Sequence, residues 1–155
     1  MTSESLLREG IRLHQAGQLT EAEIHYRRLL EVEPQNPDAL HYLGLLAYQA
    51  GDYDRALLLI DESLRWKGDS AQAYVNRGNV LFALRRLSDA QAALERALAL
   101  DSTNADAWFN LGNVQRERQR LADAGRSYRR ALAHDPQNAR ALNNLANLLY
   151  LEKRT

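Results

Sequence analysis

A 34-residue period is the feature that most constrains how this sequence can fold. A small residue recurs at this spacing, and an alanine recurs at the same spacing twelve positions later. The two series are Gly10, Gly44, Gly78, Gly112 and Ala146, and then Ala22, Ala56, Ala90 and Ala124. A period of this length corresponds to one supersecondary unit, so the 155-residue chain is expected to be an array of similar units.

Each period predicts a pair of packed helices. A bulky residue lies four positions before each small residue, which is one helical turn away on the same face. The series is Leu6, Leu40, Tyr74, Trp108 and Leu142. A small residue on each helix lets the two backbones approach closely, and turn formers such as Asp135-Pro136-Gln137-Asn138 separate the periods. We therefore predict four helical hairpins and a final single helix, with bounds 3–36, 37–70, 71–104, 105–138 and 139–152.

The turn inside each hairpin is predicted from a second series of positions. Gly17 and Gly51 mark this turn in the first two hairpins, whereas Arg85 and Gln119 occupy the equivalent positions later. If the position requires a left-handed backbone, each of the two larger residues carries strain of roughly 1 kcal/mol.

Composition excludes several function classes. Lys and Arg together number 20, as do Asp and Glu, so no net charge favours nucleic acid or an anionic membrane. The absence of Cys excludes disulfides, thiolate zinc sites and a cysteine nucleophile. The four histidines lack metal-ligand spacing, and no glycine-rich phosphate loop is present. We expect no enzymatic activity, no metal and no cofactor. With no leader and no stretch long enough to span a membrane, a cytoplasmic location is expected.

One segment carries a family resemblance. Ala107-Trp108-Phe109-Asn110-Leu111-Gly112-Asn113-Val114 resembles the first-helix signature of the tetratricopeptide repeat (TPR) family, and Ala124, Tyr128, Ala131 and Pro136 resemble its second helix. The resemblance extends over nearly the whole chain. It implies an all-α fold, a right-handed α-solenoid of four TPR hairpins plus one C-terminal helix, in a single domain over residues 1–155.

The resemblance also implies a function. In the family, the first helices line a concave groove that holds other proteins, so the chain is expected to be a noncatalytic adaptor that binds an extended peptide segment. Its predicted groove residues are Leu7, Ile11, His41, Tyr42, Leu45, Tyr48, Val75, Asn76, Asn79, Phe82, Phe109, Asn110, Asn113, Arg116, Arg140, Asn144 and Asn147.

Two strips of asparagine run through this predicted groove at the repeat spacing. They are Asn76, Asn110 and Asn144, and beside them Asn79, Asn113 and Asn147. An amide both donates and accepts hydrogen bonds, so a strip could pair with successive backbone groups of a peptide. The alternative is that these amides bond within the helix array.

The strips are similar to those in the TPR region of O-linked N-acetylglucosamine transferases, where an asparagine ladder holds protein substrates. A substrate-recruiting fragment of a larger enzyme is therefore an alternative function. The carboxylate clamp of the chaperone-binding members is not matched, because two of its three cations are missing.

The last predicted helix suggests a further alternative. Ala141, Leu145 and Leu148 are expected to pack on the preceding hairpin. An opposite apolar set would face a second helix that the sequence lacks, and it consists of Leu142, Ala146 and Leu149. Since terminal repeats normally present a polar outer side, this face predicts either self-association into a scaffold or a chain that is part of a longer array.

Charge is balanced overall but not locally. Residues 1–70 hold 7 basic and 12 acidic side chains, and residues 71–155 hold 13 and 8. The resulting dipole favours head-to-tail contact between copies or an acidic partner for the arginine-rich fourth hairpin. RNA binding is not expected, because the arginines of this hairpin are spread over the end of one predicted helix, a turn and the start of the next. They are Arg116, Arg118, Arg120, Arg126, Arg129 and Arg130.

Overall fold

Nine α-helices make up the part of the chain that the computed structural model describes, residues 1–154, and no strand occurs within it. The helices are α1 (Ser3–Gln15), α2 (Leu19–Val32), α3 (Pro37–Gln49), α4 (Tyr53–Trp66), α5 (Ala71–Ala83), α6 (Leu87–Leu100), α7 (Ala105–Glu117), α8 (Leu121–His134) and α9 (Ala139–Glu152). Helices α1, α3, α5, α7 and α9 begin 34 residues apart. The predicted all-α helical-repeat fold, with four hairpins and one further helix, is confirmed. None of the described helices combines the length and hydrophobicity that crossing a membrane requires.

Asparagine side chains determine where several first helices begin. The side-chain oxygens of Asn36, Asn104 and Asn138 accept hydrogen bonds from backbone N–H groups three residues later, at 3.0, 2.9 and 3.0 Å. Each bond satisfies one of the N–H groups that the first turn of a helix leaves without an intrahelical partner.

The chain forms two compact units, Met1–Asn76 and Arg77–Thr155. In the first unit, α1 packs on α2 and α3 packs on α4, around a core of Leu13, Ala22, Tyr26, Leu43 and Leu46. In the second unit, α7 packs on α8 and α8 packs on α9, around a core of Phe109, Ala124, Tyr128, Ala131, Ala141 and Leu148.

A glycine faces a bulky side chain where the two helices of each hairpin approach most closely. A Cβ atom on Gly10 or Gly112 would lie 2.5 Å from a ring carbon of Tyr26 or Tyr128, respectively. The corresponding separation in the other two hairpins is 2.7 Å, for Gly44 against Ile60 and for Gly78 against Leu94. No side chain fits in this space, and this explains the glycine series of the sequence.

The backbone of the inner turn is left-handed in every hairpin, as the second series of positions suggested. The φ angles are 76° at Gly17, 80° at Gly51, 62° at Arg85 and 60° at Gln119. Arg85 and Gln119 therefore carry the strain of roughly 1 kcal/mol each that is expected of a larger residue in this conformation.

Helix α9 is covered on one side, as predicted. Ala141 and Leu148 are buried, and Leu145 packs against the same core. On the opposite side, Leu142 is 50% exposed and Leu149 is 38% exposed. Within residues 1–154, no second helix covers this face as it does in the other hairpins.

Replacing Gly112 with Ala tests the helix crossing. The added methyl group would overlap the buried ring of Tyr128, so we expect Gly112→Ala to lower the free energy of unfolding by about 1–3 kcal/mol. Urea unfolding followed by circular dichroism measures the change. Gly125→Ala is the matched control, because its Cβ would meet only the mobile end of Arg129 at 3.4 Å. That variant should be neutral or more stable by up to about 1 kcal/mol, since alanine favours a helix. Equal stability of the two variants would contradict the account.

Candidate functional site

The candidate site is the surface formed by the predicted groove residues on α1, α3, α5, α7 and α9, called here the first-helix surface. It is described separately for the two units. Most of its side chains are half-buried, while Arg140 and Asn147 are exposed. The predicted self-association residues Leu142, Ala146 and Leu149 are exposed on another face of α9.

Two predicted groove residues belong to the interior instead. Val75 is 2% exposed and Phe109 is 5% exposed. Phe109 lies in the core of the second unit with its ring centroid 6.0 Å from that of Tyr128, and the guanidinium of Arg140 covers it at 4.7 Å. A side chain covered to this extent presents no surface to a peptide, so both assignments are corrected to packing positions.

In the first unit, four aromatic rings pack together at this surface, His14, Tyr26, His41 and Tyr42, called here the aromatic cluster, and Tyr26 is its fully buried member. Tyr26 and Tyr42 stack with centroids 5.3 Å apart, and His14 and His41 meet Tyr42 edge-on at 6.1 and 5.7 Å. The partly buried Leu7 and Ile11 pack on the same core. Burial raises the pKa values of Tyr26 and Tyr42, so both phenols stay neutral at physiological pH.

Asn76 is tied to this cluster by a hydrogen bond. Its side-chain nitrogen lies 2.8 Å from Nε2 of His41, and its oxygen accepts a bond from Gln72 at 3.3 Å. Burial lowers the pKa of His41, with Lys67 acting in the same direction and Asp38 opposing it. The neutral imidazole nitrogen can therefore accept the bond from the amide.

In the second unit, a tyrosine hydroxyl organises two of the predicted amides. The hydroxyl of Tyr128 donates to Oδ1 of Asn113 at 2.8 Å, and Nδ2 of Asn144 donates to the same oxygen at 2.9 Å. These bonds join α7, α8 and α9. Burial raises the pKa of Tyr128, which keeps the phenol protonated as the donor.

The two asparagine strips therefore divide into bonded and free amides. Asn76, Asn113 and Asn144 bond within the protein. Asn79, Asn110 and Asn147 make no side-chain hydrogen bond within residues 1–154. The alternative that these amides bond inside the helix array applies to the first three, and the other three remain available to a ligand.

Sequence reasoning missed the role of the tyrosine hydroxyls. Neither Tyr26 nor Tyr128 was among the predicted groove residues, yet their hydroxyls reach His14, at 3.4 Å, and Asn113 on the first-helix surface. The available signal was that the other two hairpins have Ile60 and Leu94 at this position, which carry no polar atom.

Charge distinguishes the two units. Residues 1–76 hold 7 basic and 12 acidic side chains and residues 77–155 hold 13 and 8, which gives net charges of −5 and +5. Within residues 1–154, no group of His, Asp or Glu side chains is arranged to hold a metal ion.

Comparisons with known proteins agree with this architecture. A family model described as anaphase-promoting complex, cyclosome, subunit 3 matches residues 15–97, and two tetratricopeptide repeat models match residues 75–132 and 127–155. No curated protein matches the sequence.

Several solved structures are similar. The crystal structure of MamA is 25% identical, with 93% of this chain and 84% of MamA covered and a TM-score of 0.82. Pseudomonas aeruginosa pilF is 22% identical, with 98% and 69% covered and a TM-score of 0.91. The first TPR of Spaghetti (RPAP3), bound to an HSP90 peptide, is 24% identical, with 77% and 94% covered and a TM-score of 0.74. The similarities to pilF and to Spaghetti concern the fold alone. The family models and the helical hairpins together show that this chain belongs to the tetratricopeptide repeat family.

Proposed function

We propose that this chain is a noncatalytic interaction module that binds an extended peptide segment of another protein on its first-helix surface. Membership of the TPR family supports an interaction role, and the Spaghetti domain is a solved example of the fold with a peptide bound. The observation that carries the proposal is the set of first-helix amides that make no hydrogen bond inside the described chain, Asn79, Asn110 and Asn147.

The chemistry of these amides suits a peptide backbone. Asn110 on α7 is half-buried and Asn147 on α9 is exposed. Each can donate to a carbonyl and accept from an N–H of an extended strand without selecting its side chains.

Charge on the same helices favours an acidic partner. Arg116 is half-buried near the end of α7, and Arg140 lies in the first turn of α9. Arg140 forms an ion pair with Asp106 at an N···O distance of 3.7 Å between two largely exposed side chains, and such pairs contribute little. Both guanidinium groups can therefore pair with carboxylates of a bound segment.

In the first unit, the same surface offers apolar contact. Leu7 and Ile11 are half-buried beside the aromatic cluster, and Leu45 is half-buried on α3. Apolar side chains of a partner would cover them, and this suits a segment with hydrophobic as well as acidic residues.

Removing two free amides tests the proposal. Peptides selected on the wild-type chain from a random 12-residue library should bind Asn110→Ala/Asn147→Ala roughly 30-fold more weakly, because two hydrogen bonds of about 1 kcal/mol each are lost. Isothermal calorimetry gives the affinities, and circular dichroism should show unchanged helicity, since neither amide bonds within the described chain. Gln137→Ala, which removes an exposed loop amide, should bind like wild type. Undiminished affinity of the double variant would refute the role of the amides.

A second candidate function, assembly of copies through α9, is favoured by the uncovered face of that helix. In the first two hairpins, the residues equivalent to Leu142 and Leu149 are buried, namely Leu6 and Leu13, and Leu40 and Ala47. Two antiparallel copies of α9 would place Leu142 of one opposite Leu149 of the other, with Ala146 near the crossing. A face that matches itself in this way suits a two-fold symmetric contact.

Light scattering coupled to size exclusion tests this assembly over a concentration series. The wild type should form a concentration-dependent dimer, and Leu142→Asp/Leu149→Asp should remain monomeric because two charges would enter the apolar contact. Leu151→Asp is the control, since Leu151 is also exposed but lies about 180° around the helix from Leu142. Association that high salt abolishes would indicate the charge dipole instead of α9. A wild type that stays monomeric at millimolar concentration would rule this function out.

A further inference from the structure

A buried polar pair occupies the inside of the α7–α8 hairpin. Gln115 is 9% exposed and Ser127 is 3% exposed, and the hydroxyl of Ser127 donates to Oε1 of Gln115 at 2.6 Å. The positions equivalent to Gln115 hold Leu13, Ala47 and Leu81, and those equivalent to Ser127 hold His25, Leu59 and Ala93. The other three hairpins thus have an apolar side chain at the position of Gln115, so the fold does not require a polar residue there. Burying an amide at this position is unfavourable unless the amide is hydrogen-bonded.

The mutual hydrogen bond satisfies only half of the Gln115 amide. No side chain or backbone group within residues 1–154 accepts a hydrogen bond from its NH₂ group. Gln115 and Ser127 both line an open cavity of about 270 Å³ between α7 and α8. No buried side-chain nitrogen or oxygen of the described residues lacks a hydrogen-bond partner, so the unpaired NH₂ group of this nine-tenths buried side chain reaches solvent at the cavity that Gln115 lines.

The rest of the cavity wall has a distinct chemistry. Arg126 forms an ion pair with Asp123, which also lines the cavity. The guanidinium of Arg130 lies 5.9 Å from the ring centroid of Trp108, and no carboxylate of the described chain pairs with it. The cavity therefore combines one uncompensated positive charge, one free amide donor and an indole wall.

We propose that this cavity binds a single carboxylate, the end of an acidic side chain from a partner protein. The carboxylate would accept hydrogen bonds from Arg130 and from the NH₂ of Gln115, and its hydrocarbon stem would lie on Trp108. A phosphate dianion fits less well, because the wall has a net charge of only +1 and includes Asp123. The cavity volume corresponds to one side chain rather than to a folded segment.

This site is separate from the first-helix amides, so the two proposals can fail independently. The cavity proposal also predicts how one double substitution should change ligand binding and thermal stability. Gln115→Leu/Ser127→Ala introduces the residues that the third hairpin has at these positions, Leu81 and Ala93. If the polar pair serves binding, this variant loses the ligand and keeps or gains thermal stability. If the pair only holds the hairpin together, the variant unfolds at a lower temperature.

The test is a titration of the full chain with N-acetylglutamate methylamide, followed by the NMR signals of the Trp108 indole N–H and the Gln115 side-chain amide. Saturable shifts at millimolar concentration are expected. The affinity should be at least tenfold weaker for the neutral analogue N-acetylglutamine methylamide, and tenfold weaker in Arg130→Gln. Gln115→Leu/Ser127→Ala has no Gln115 amide, so its loss of binding is followed at Trp108 alone.

A control variant and two control ligands distinguish the possible results of the titration. Asn110→Ala/Asn147→Ala should bind the glutamate probe as the wild type does, since those amides are not part of this cavity. The proposal is overturned by the absence of saturation in the wild type, by equal affinity for the glutamine analogue, or by undiminished affinity of Gln115→Leu/Ser127→Ala. Tighter binding of inorganic phosphate than of the glutamate probe would contradict the assignment of a carboxylate ligand.

Discussion

The contact between a glycine on the first helix and a bulky side chain on the second is the interaction on which the rest of this structure depends. At Gly10 and Gly112 the space for even one methyl group is filled by a tyrosine ring. The contact brings two helices together and repeats every 34 residues. On α9, which no second helix covers within residues 1–154, the same face is left with exposed leucines. The exposed leucines of α9 therefore follow from the way in which each first helix packs against a second helix.

The same contact also shapes the candidate binding surface. A tyrosine at the crossing carries its hydroxyl past the glycine to the first-helix surface, where Tyr128 holds Asn113 and, through it, Asn144. Hairpins with Ile60 or Leu94 at this position have no such hydroxyl. Internal hydrogen bonds therefore occupy Asn113 and Asn144, whereas no tyrosine or histidine side chain bonds to Asn110 or Asn147 in the described chain, and the proposed function assigns these two amides to the peptide.

Periodicity was sufficient to predict four hairpins and one further helix, and the positions of their inner turns, because both follow from local residue choice repeated in phase. It was not sufficient for side-chain partners. Phe109 was assigned to the surface from its helix position, yet its ring enters the core beside Tyr128, and only the positions of neighbouring helices reveal this. The pairing of Asn76 with His41 likewise depends on a distance between two hairpins. Gln115 was detectable in principle, as a polar residue in an apolar series, but its cavity was not.

Native-state hydrogen exchange of the backbone amides tests most directly whether the hairpin contact is the unit of stability. Within residues 77–154, α7 and α8 cover each other across Gly112, whereas α9 is covered on one side alone. Amides of α9 should therefore exchange through local opening, at clearly lower free energy than those of α7 and α8. Protection of α9 equal to that of α7, in a monomeric sample, would contradict the account, because it would show that a first helix is stable without its second.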